Sequence, residues 1–263
     1  MAKANTLKIS NILSLCAIPL LAASLAMAAL GTSRAQDTAP VFDAEQSEAI
    51  ETLVRQYLLD HPEILVESLQ SYEQHQQAAE AERQRAAIVA EAEALTNDPD
   101  APVLGNPNGD VTLVEFFDYR CPYCKRLTSV ISQIMDEDPN LRLVMKEFPI
   151  LSQESVEAAR AALAAQRQDK YESFHFALME NGGSMTEAEV MAVANSVGLD
   201  EDQLRADMQD PAIEEALRRN HALAGNIGIT GTPAIVLGDT LTPGAVDLEM
   251  LRSMIAEARA NPS

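Results

Sequence analysis

Apolar and polar positions recur along this chain with two periods, and their order predicts most of its elements. Between residues 43 and 96 the spacing is three and four. Ile50, Leu53, Val54, Tyr57 and Leu58 form one stripe of an amphipathic helix. His61-Pro62 interrupts it, and Pro62 suits the first turn of a second helix, where a missing N–H costs nothing. That second stretch carries Ile64, Leu65, Leu69 and Tyr72, then turns to Gln, Ala, Glu and Arg over residues 73–94. Heptad spacing runs through it, but Gln76 and Arg83 fall on two of the seam positions, so the pattern departs from a coiled coil. The stripe is too short to bury itself. It must pack either on the rest of the chain or on copies of itself.

Past residue 96 the pattern changes. Thr96–Pro102 and Asn106–Asp110 are turn-rich and leave room only for a short strand over Pro102–Gly105. Val111–Phe117 is a nearly continuous apolar run, as a strand buried on both faces requires. A helix is expected from Cys121 through Met135, and a further strand over Leu141–Phe148. A helical block follows, headed by Ser152 or Ser155, by the capping box Thr186–Glu189, by Asp200 and by Pro211. Ala234–Leu237 is a short strand, Gly238–Gly244 a turn with room for strand pairing, and Asp247–Ala260 a terminal amphipathic helix. The order predicts an α/β fold with a helical insertion, preceded by an α-helical N-terminal segment.

The first 35 residues have a different character. Lys3 and Lys8 precede an apolar run from Ile9 to Leu30, and Ser33-Arg34-Ala35 offers small residues at a cleavage site. This predicts an export signal cleaved after Ala35, with Ala26-Met27-Ala28 as a second candidate site and an uncleaved anchor as the rival reading. The net charge of the 263-residue chain is −21, and removing Lys3, Lys8 and Arg34 with the leader takes it to −24. Such a charge argues against nucleic acid as a partner, because phosphate binding needs a basic face. The leader also takes Cys16 with it. The remaining cysteines, Cys121 and Cys124, are two residues apart, too close for a bridge to constrain the unfolded chain much. Chemistry explains the pair better than structure does.

Cys121 would sit where strand gives way to helix, facing unpaired backbone N–H groups and the positive end of the helix dipole. Both favour thiolate over thiol. Cys124, one turn on, is placed to attack a mixed disulfide formed at Cys121. Pro122 fits the first helical position, and Tyr123 between the sulfurs is expected to tune the couple. Zinc would need four ligands, and His61, His75, His175 and His221 are scattered, so no metal or cofactor is called for; copper(I) on two thiolates is the alternative. Glu115, inside the apolar strand, reads either as a buried acid serving Cys124 or as a solvent-facing residue on strand alternation. Thr232-Pro233 opens a core strand, which suits a cis peptide or an ordinary trans-proline at an edge.

Together Val114–Lys125, with its Cys121-Pro122-Tyr123-Cys124 centre, and Gly231-Thr232-Pro233 resemble the DsbA-like branch of the thioredoxin superfamily over about residues 100–263. The resemblance implies a thioredoxin fold with a helical insertion at about 152–227. It implies that Cys121 attacks, Cys124 resolves and Glu115 is the buried acid. It further implies that Thr232-Pro233 is a cis-proline loop which, with Pro122 and Tyr123, meets the client. Tyr57–Leu65 is similar to the N-terminal region of ScsC-type proteins, some of which trimerise there and isomerise disulfides; Thr before the proline also fits isomerase-type members. Residues 36–99 are therefore expected to be an oligomerisation region. The function expected is that of a periplasmic thiol–disulfide oxidoreductase or isomerase. Its partners would be exported proteins bearing thiols or disulfides, a membrane redox protein and further copies of the chain.

Overall fold

The computed structural model of this protein describes residues 42–261. The leader expected at 1–35, its cleavage sites and Cys16 lie outside the described residues. The chain divides into two compact units between Leu65 and Val66.

The first unit holds helix α1 (Ala44–Asp60) and the first turn of α2 (Pro62–Ala90). A capping box starts α1. Asp43 Oδ1 accepts from Gln46 N at 2.8 Å, and Gln46 Oε1 accepts from Asp43 N at 3.1 Å. No residue of α1 is buried; Leu53, Val54 and Tyr57 of the predicted stripe are at least half exposed.

In the second unit the chain continues through the rest of α2, α3 (Ala92–Thr96), β1 (Val103–Gly105), β2 (Val111–Phe117), α4 (Pro122–Glu137) and β3 (Leu141–Glu147). The insertion follows: α5 (Gln153–Ala165), a 3-10 turn, α6 (Tyr171–Glu180), α7 (Glu187–Ser196), α8 (Glu201–Asp207) and α9 (Pro211–Asn226). Strands β4 (Ala234–Leu237) and β5 (Thr240–Pro243) and helix α10 (Leu248–Ala260) complete the fold. The sheet runs β1-β3-β2-β4-β5. Its only parallel pair is β2 with β3, and the register sets Glu115 beside Met145 and Phe117 beside Glu147. The element order predicts an α/β fold with a helical insertion, and the mixed sheet is the thioredoxin arrangement that the resemblance implies.

Helices cover both faces of the sheet, which is why β2 reads as an unbroken apolar run. On one face Leu113, Phe117, Leu143, Met145 and Ile235 share a core with Leu127 of α4, Phe174 of α6 and Leu251 of α10. On the other, Val114, Phe116, Val144 and Val236 pack with Leu223 and Ala224 of α9 and with Ile88 and Leu95 of α2 and α3. The C-terminal end of the front helical segment is therefore docked on the sheet. Gln84 Nε2 donates to Ile227 O at 3.3 Å beside it. The expected single helix to residue 96 instead breaks at Glu91, whose N–H divides between Ala87 O and Ile88 O. That break lets both Ile88 and Leu95 reach the same core.

Candidate active site

The site is built where β2 hands over to α4. Cys121 is the N-cap of α4 in extended conformation, and Pro122 opens the first turn, where no N–H is missed. The Cys121 N–H donates to Asp118 O at 3.0 Å, and its carbonyl accepts from Lys125 N at 3.1 Å. Its thiol donates to the carbonyl oxygen of Thr232 at 3.3 Å, so the loop before β4 closes over the sulfur. The Thr232–Pro233 peptide is cis. Both cysteines are free thiols; Cys121 is 4% exposed and Cys124 not at all.

The two sulfurs are held in opposite states. The Cys121 thiol is lowered to about 5, first by its hydrogen bond with Cys124, then, against the cost of burial, by the Thr232 side chain and the backbone N–H groups of Cys124 and Tyr123. Burial pushes the Cys124 thiol far up, with the hydrogen bond to Cys121 and the charge of Glu115 acting the same way. Glu115 lies inside β2 with 1% of its surface exposed, and its Oε1 has no hydrogen-bond partner. Burial, and then the charge on Cys121, raises its carboxyl to about 8. Glu115 is thus a core residue electrostatically coupled to both cysteines, not a solvent-facing one. Tyr123 is 54% exposed, and the Arg126 guanidinium lies 4.2 Å from its ring centroid.

Sequence reasoning missed three buried polar groups at the ends of β2 and β3. Asp118 is buried three residues before Cys121. Glu147 Oε1 accepts from the hydroxyls of Tyr119 and Tyr171, both at 2.9 Å, and Tyr119 Oη is 3.1 Å from His175 Nδ1. Burial raises the Glu147 carboxyl well above its ordinary value and lowers His175 to about 3. Lys146, fully buried, donates to Asp98 Oδ2 and Ala94 O, both at 2.9 Å. The signal that singled out Glu115, a charged side chain inside an apolar strand, also marks Lys146 and Glu147. No local signal brings Tyr171 or His175 to them. Among the described residues no three His, Cys, Asp or Glu side chains gather as metal ligands. Chemically, the arrangement offers a thiolate at the helix N-terminus, a protonated sulfur behind it and a buried acid able to exchange protons with the latter.

Comparison with known proteins agrees with this chemistry. Residues 112–256 match the family model of the DSBA-like thioredoxin domain, and residues 46–79 match that of the copper resistance protein ScsC N-terminal domain. A thioredoxin-like oxidoreductase from Silicibacter pomeroyi shares 50% identity over 64% of this chain and 97% of its own, with a TM-score of 0.63. Proteus mirabilis ScsC shares 31% identity over 84% and 98%, with a TM-score of 0.62. The thiol-disulfide exchange protein alpha-DsbA2 of Wolbachia pipientis shares 30% over 68% and 97%, with a TM-score of 0.64. Among curated proteins, the Na(+)/H(+) antiporter NhaA 1 of Salinispora arenicola is 26% identical over 166 residues, 62% of this chain and 26% of that protein. The chain spans about a fifth to a quarter of the length of the curated relatives it matches.

Proposed function

We propose that this chain, which belongs to the DSBA-like thioredoxin-domain family and is a thiol–disulfide oxidoreductase, rearranges disulfides of exported proteins through Cys121 and Cys124. The observation that carries the reading is the placing of the two sulfurs. Cys121 caps the N-terminus of α4 against the cis Thr232–Pro233 loop, and Cys124 is buried one turn behind it.

In the proposed cycle the Cys121 thiolate attacks a client disulfide. A Cys121–client bond forms, the client bond breaks, and the released client sulfur leaves as a thiolate that takes a proton from solvent. The negative charge on Cys121 is then gone, which removes the second cause of the raised Glu115 carboxyl. Glu115 then releases its own proton to solvent more readily, and its carboxylate takes the proton from Cys124, whose thiolate attacks Cys121 Sγ. The mixed disulfide breaks, Cys121–Cys124 closes, and the second client sulfur departs; two electrons have passed to the client. Client thiols attacking the mixed disulfide instead give isomerisation. Thr232, Pro122 and Tyr123 are assigned to client contact, Thr232 because its loop closes over Cys121 and Tyr123 because it is exposed beside it.

The match of residues 46–79 to the ScsC N-terminal domain and the threonine that precedes the cis-proline support an isomerase reading. Periplasmic residence rests on the leader-like residues 1–35, and a membrane reductase would keep the dithiol reduced. Copper(I) sequestration has less support, since a sulfur as strongly protonated as Cys124 opposes ligation by two thiolates. For the front helices, the exposed stripe of Leu53, Val54, Tyr57, Leu65, Leu69 and Tyr72 supports self-association, with a trimer as the expected form.

The test is recovery of activity from a scrambled-disulfide substrate beside a dithiol-oxidation assay. Unscrambling with slow oxidation supports the isomerase; fast oxidation without unscrambling refutes it. Light scattering on the chain from residue 36 onward, with and without residues 36–65, tests the oligomer. A monomeric longer form would end that part of the reading.

A further inference from the structure

Asp118 is the first residue after β2 and three residues before Cys121. Its side chain is 1% exposed, yet no lysine or arginine pairs with it among the described residues. Neutral donors fill its oxygens instead. Oδ1 accepts from Arg120 N at 2.7 Å and from Ser155 Oγ at 2.8 Å. Oδ2 accepts from Ile150 N at 2.9 Å and from Leu151 N at 3.0 Å. One carboxylate thus joins the turn that carries Cys121, the loop after β3 and the first turn of α5. Its main chain reaches both cysteines: the carbonyl accepts from the Cys121 backbone N–H, and the amide N–H faces the Cys124 sulfur.

Four donors on a buried carboxylate are far more than a turn needs to close, and burying the charge without a cation is costly. A group so expensive and so placed does more than fill space. We propose that Asp118 is a positioning residue of the dithiol, fixing the turn at which the Cys121 sulfur meets the N–H groups of α4 and the Thr232 loop. The inference rests on the reading of Cys121 as the attacking sulfur. The titratable groups around this turn are Cys121 and Cys124 on α4, Glu115 on β2 and Glu147 at the end of β3; Arg120 turns outward to Glu154 at 3.0 Å.

The sign of one measurement separates positioning from simple charge. Asp118→Asn keeps the size but presents an NH2 group to two of the four donors, so the turn loosens. Loss of positioning weakens the hydrogen bonds that favour the Cys121 thiolate, and its titration midpoint, read by thiolate absorbance at 240 nm in the reduced protein, rises by about one unit. Loss of the negative charge alone would lower the midpoint. A rise of that kind supports the proposal; a fall, or an unchanged midpoint with only lower thermal stability, overturns it. Should Asp118→Asn fail to fold, Ser155→Ala removes one donor from a separate helix with no change of charge. There a smaller rise supports the proposal and an unmoved midpoint overturns it. Failure of the underlying reading would look different: wild-type protein would exchange no disulfides, whatever its thiolate titration showed.

Discussion

The Cys121 thiol reaches the main-chain carbonyl oxygen of Thr232 at 3.3 Å, a contact between residues 111 apart in sequence. The same threonine helps lower the thiol through its side chain, after Cys124 and against the cost of burial. Thr232→Val keeps the shape and the carbonyl but removes the hydroxyl. The Cys121 midpoint is expected to rise from about 5 by less than about one unit. The reduced form then loses part of its advantage, and the potential of the couple becomes more reducing. Thiolate absorbance against pH and equilibration with a glutathione buffer measure the two effects. An unmoved midpoint would remove the hydroxyl from this account.

Lys146 makes a second long-range pairing. Its ammonium is fully buried and donates to Asp98 Oδ2 and Ala94 O, and burial lowers its pKa despite the carboxylate beside it. Asp98→Ala strands that charge in the core and is expected to cost about 3–5 kcal/mol in urea unfolding. Lys146→Met removes the charge and its need together, so it should be near neutral or stabilising. If both variants unfolded at the same urea concentration as wild type, the pair would be of no energetic consequence.

How far such features were legible in the sequence depends on the range of the forces behind them. The β2 strand, the helix from Cys121 and the acid at Glu115 follow from local pattern, because alternation, Pro122 and an apolar run act within a few residues. The break of the front helix at Glu91 carries no such mark: Ala92-Glu93-Ala94 propagates a helix well. Docking of Leu95 beside Ile88 overrides that preference. The spacing of His175 to the other histidines matches no metal site and gives it no role. His175 is instead a buried partner of Tyr119, brought there by the packing of α6 on the sheet. Lys146 and Glu147 carried the same signal as Glu115, but their partners Asp98 and Tyr171 lie 48 and 24 residues away, where spacing is silent.

His175 predicts a loss of stability in acid. Burial lowers it to about 3 in the folded chain, whereas the unfolded chain takes up its proton near 6.5. Between those values the unfolded state binds the extra proton, so stability falls as pH drops from about 6.5 toward 3 and is fully retained above. The full shift corresponds to at most on the order of 5 kcal/mol. His175→Phe cannot charge and should flatten this limb, though it forfeits the hydrogen bond to Tyr119 at pH 7. Urea midpoints at a series of pH values measure it. An equally steep limb in the variant would assign the acid sensitivity to other groups.

Glu115 predicts the opposite slope and a kinetic signature. Its carboxyl is raised to about 8, so the folded chain holds a proton that the unfolded chain has released above about 4.5. The cost of burying it is absent below 4.5, grows as pH rises and is complete above 8. Glu115→Gln escapes that cost. At pH 8.5 the reduced variant is expected to melt several degrees higher than wild type, while at pH 4.5 the two melt together. Its chemistry suffers instead. Without a base beside Cys124 the second step loses about 10²–10⁴-fold, whereas attack by Cys121 needs no proton transfer from Glu115. Trapping the reaction with acid and separating the products should then show the Cys121–client disulfide accumulating in the variant but not in wild type. If Glu115→Gln resolved that intermediate at the wild-type rate, the proton from Cys124 would have another destination.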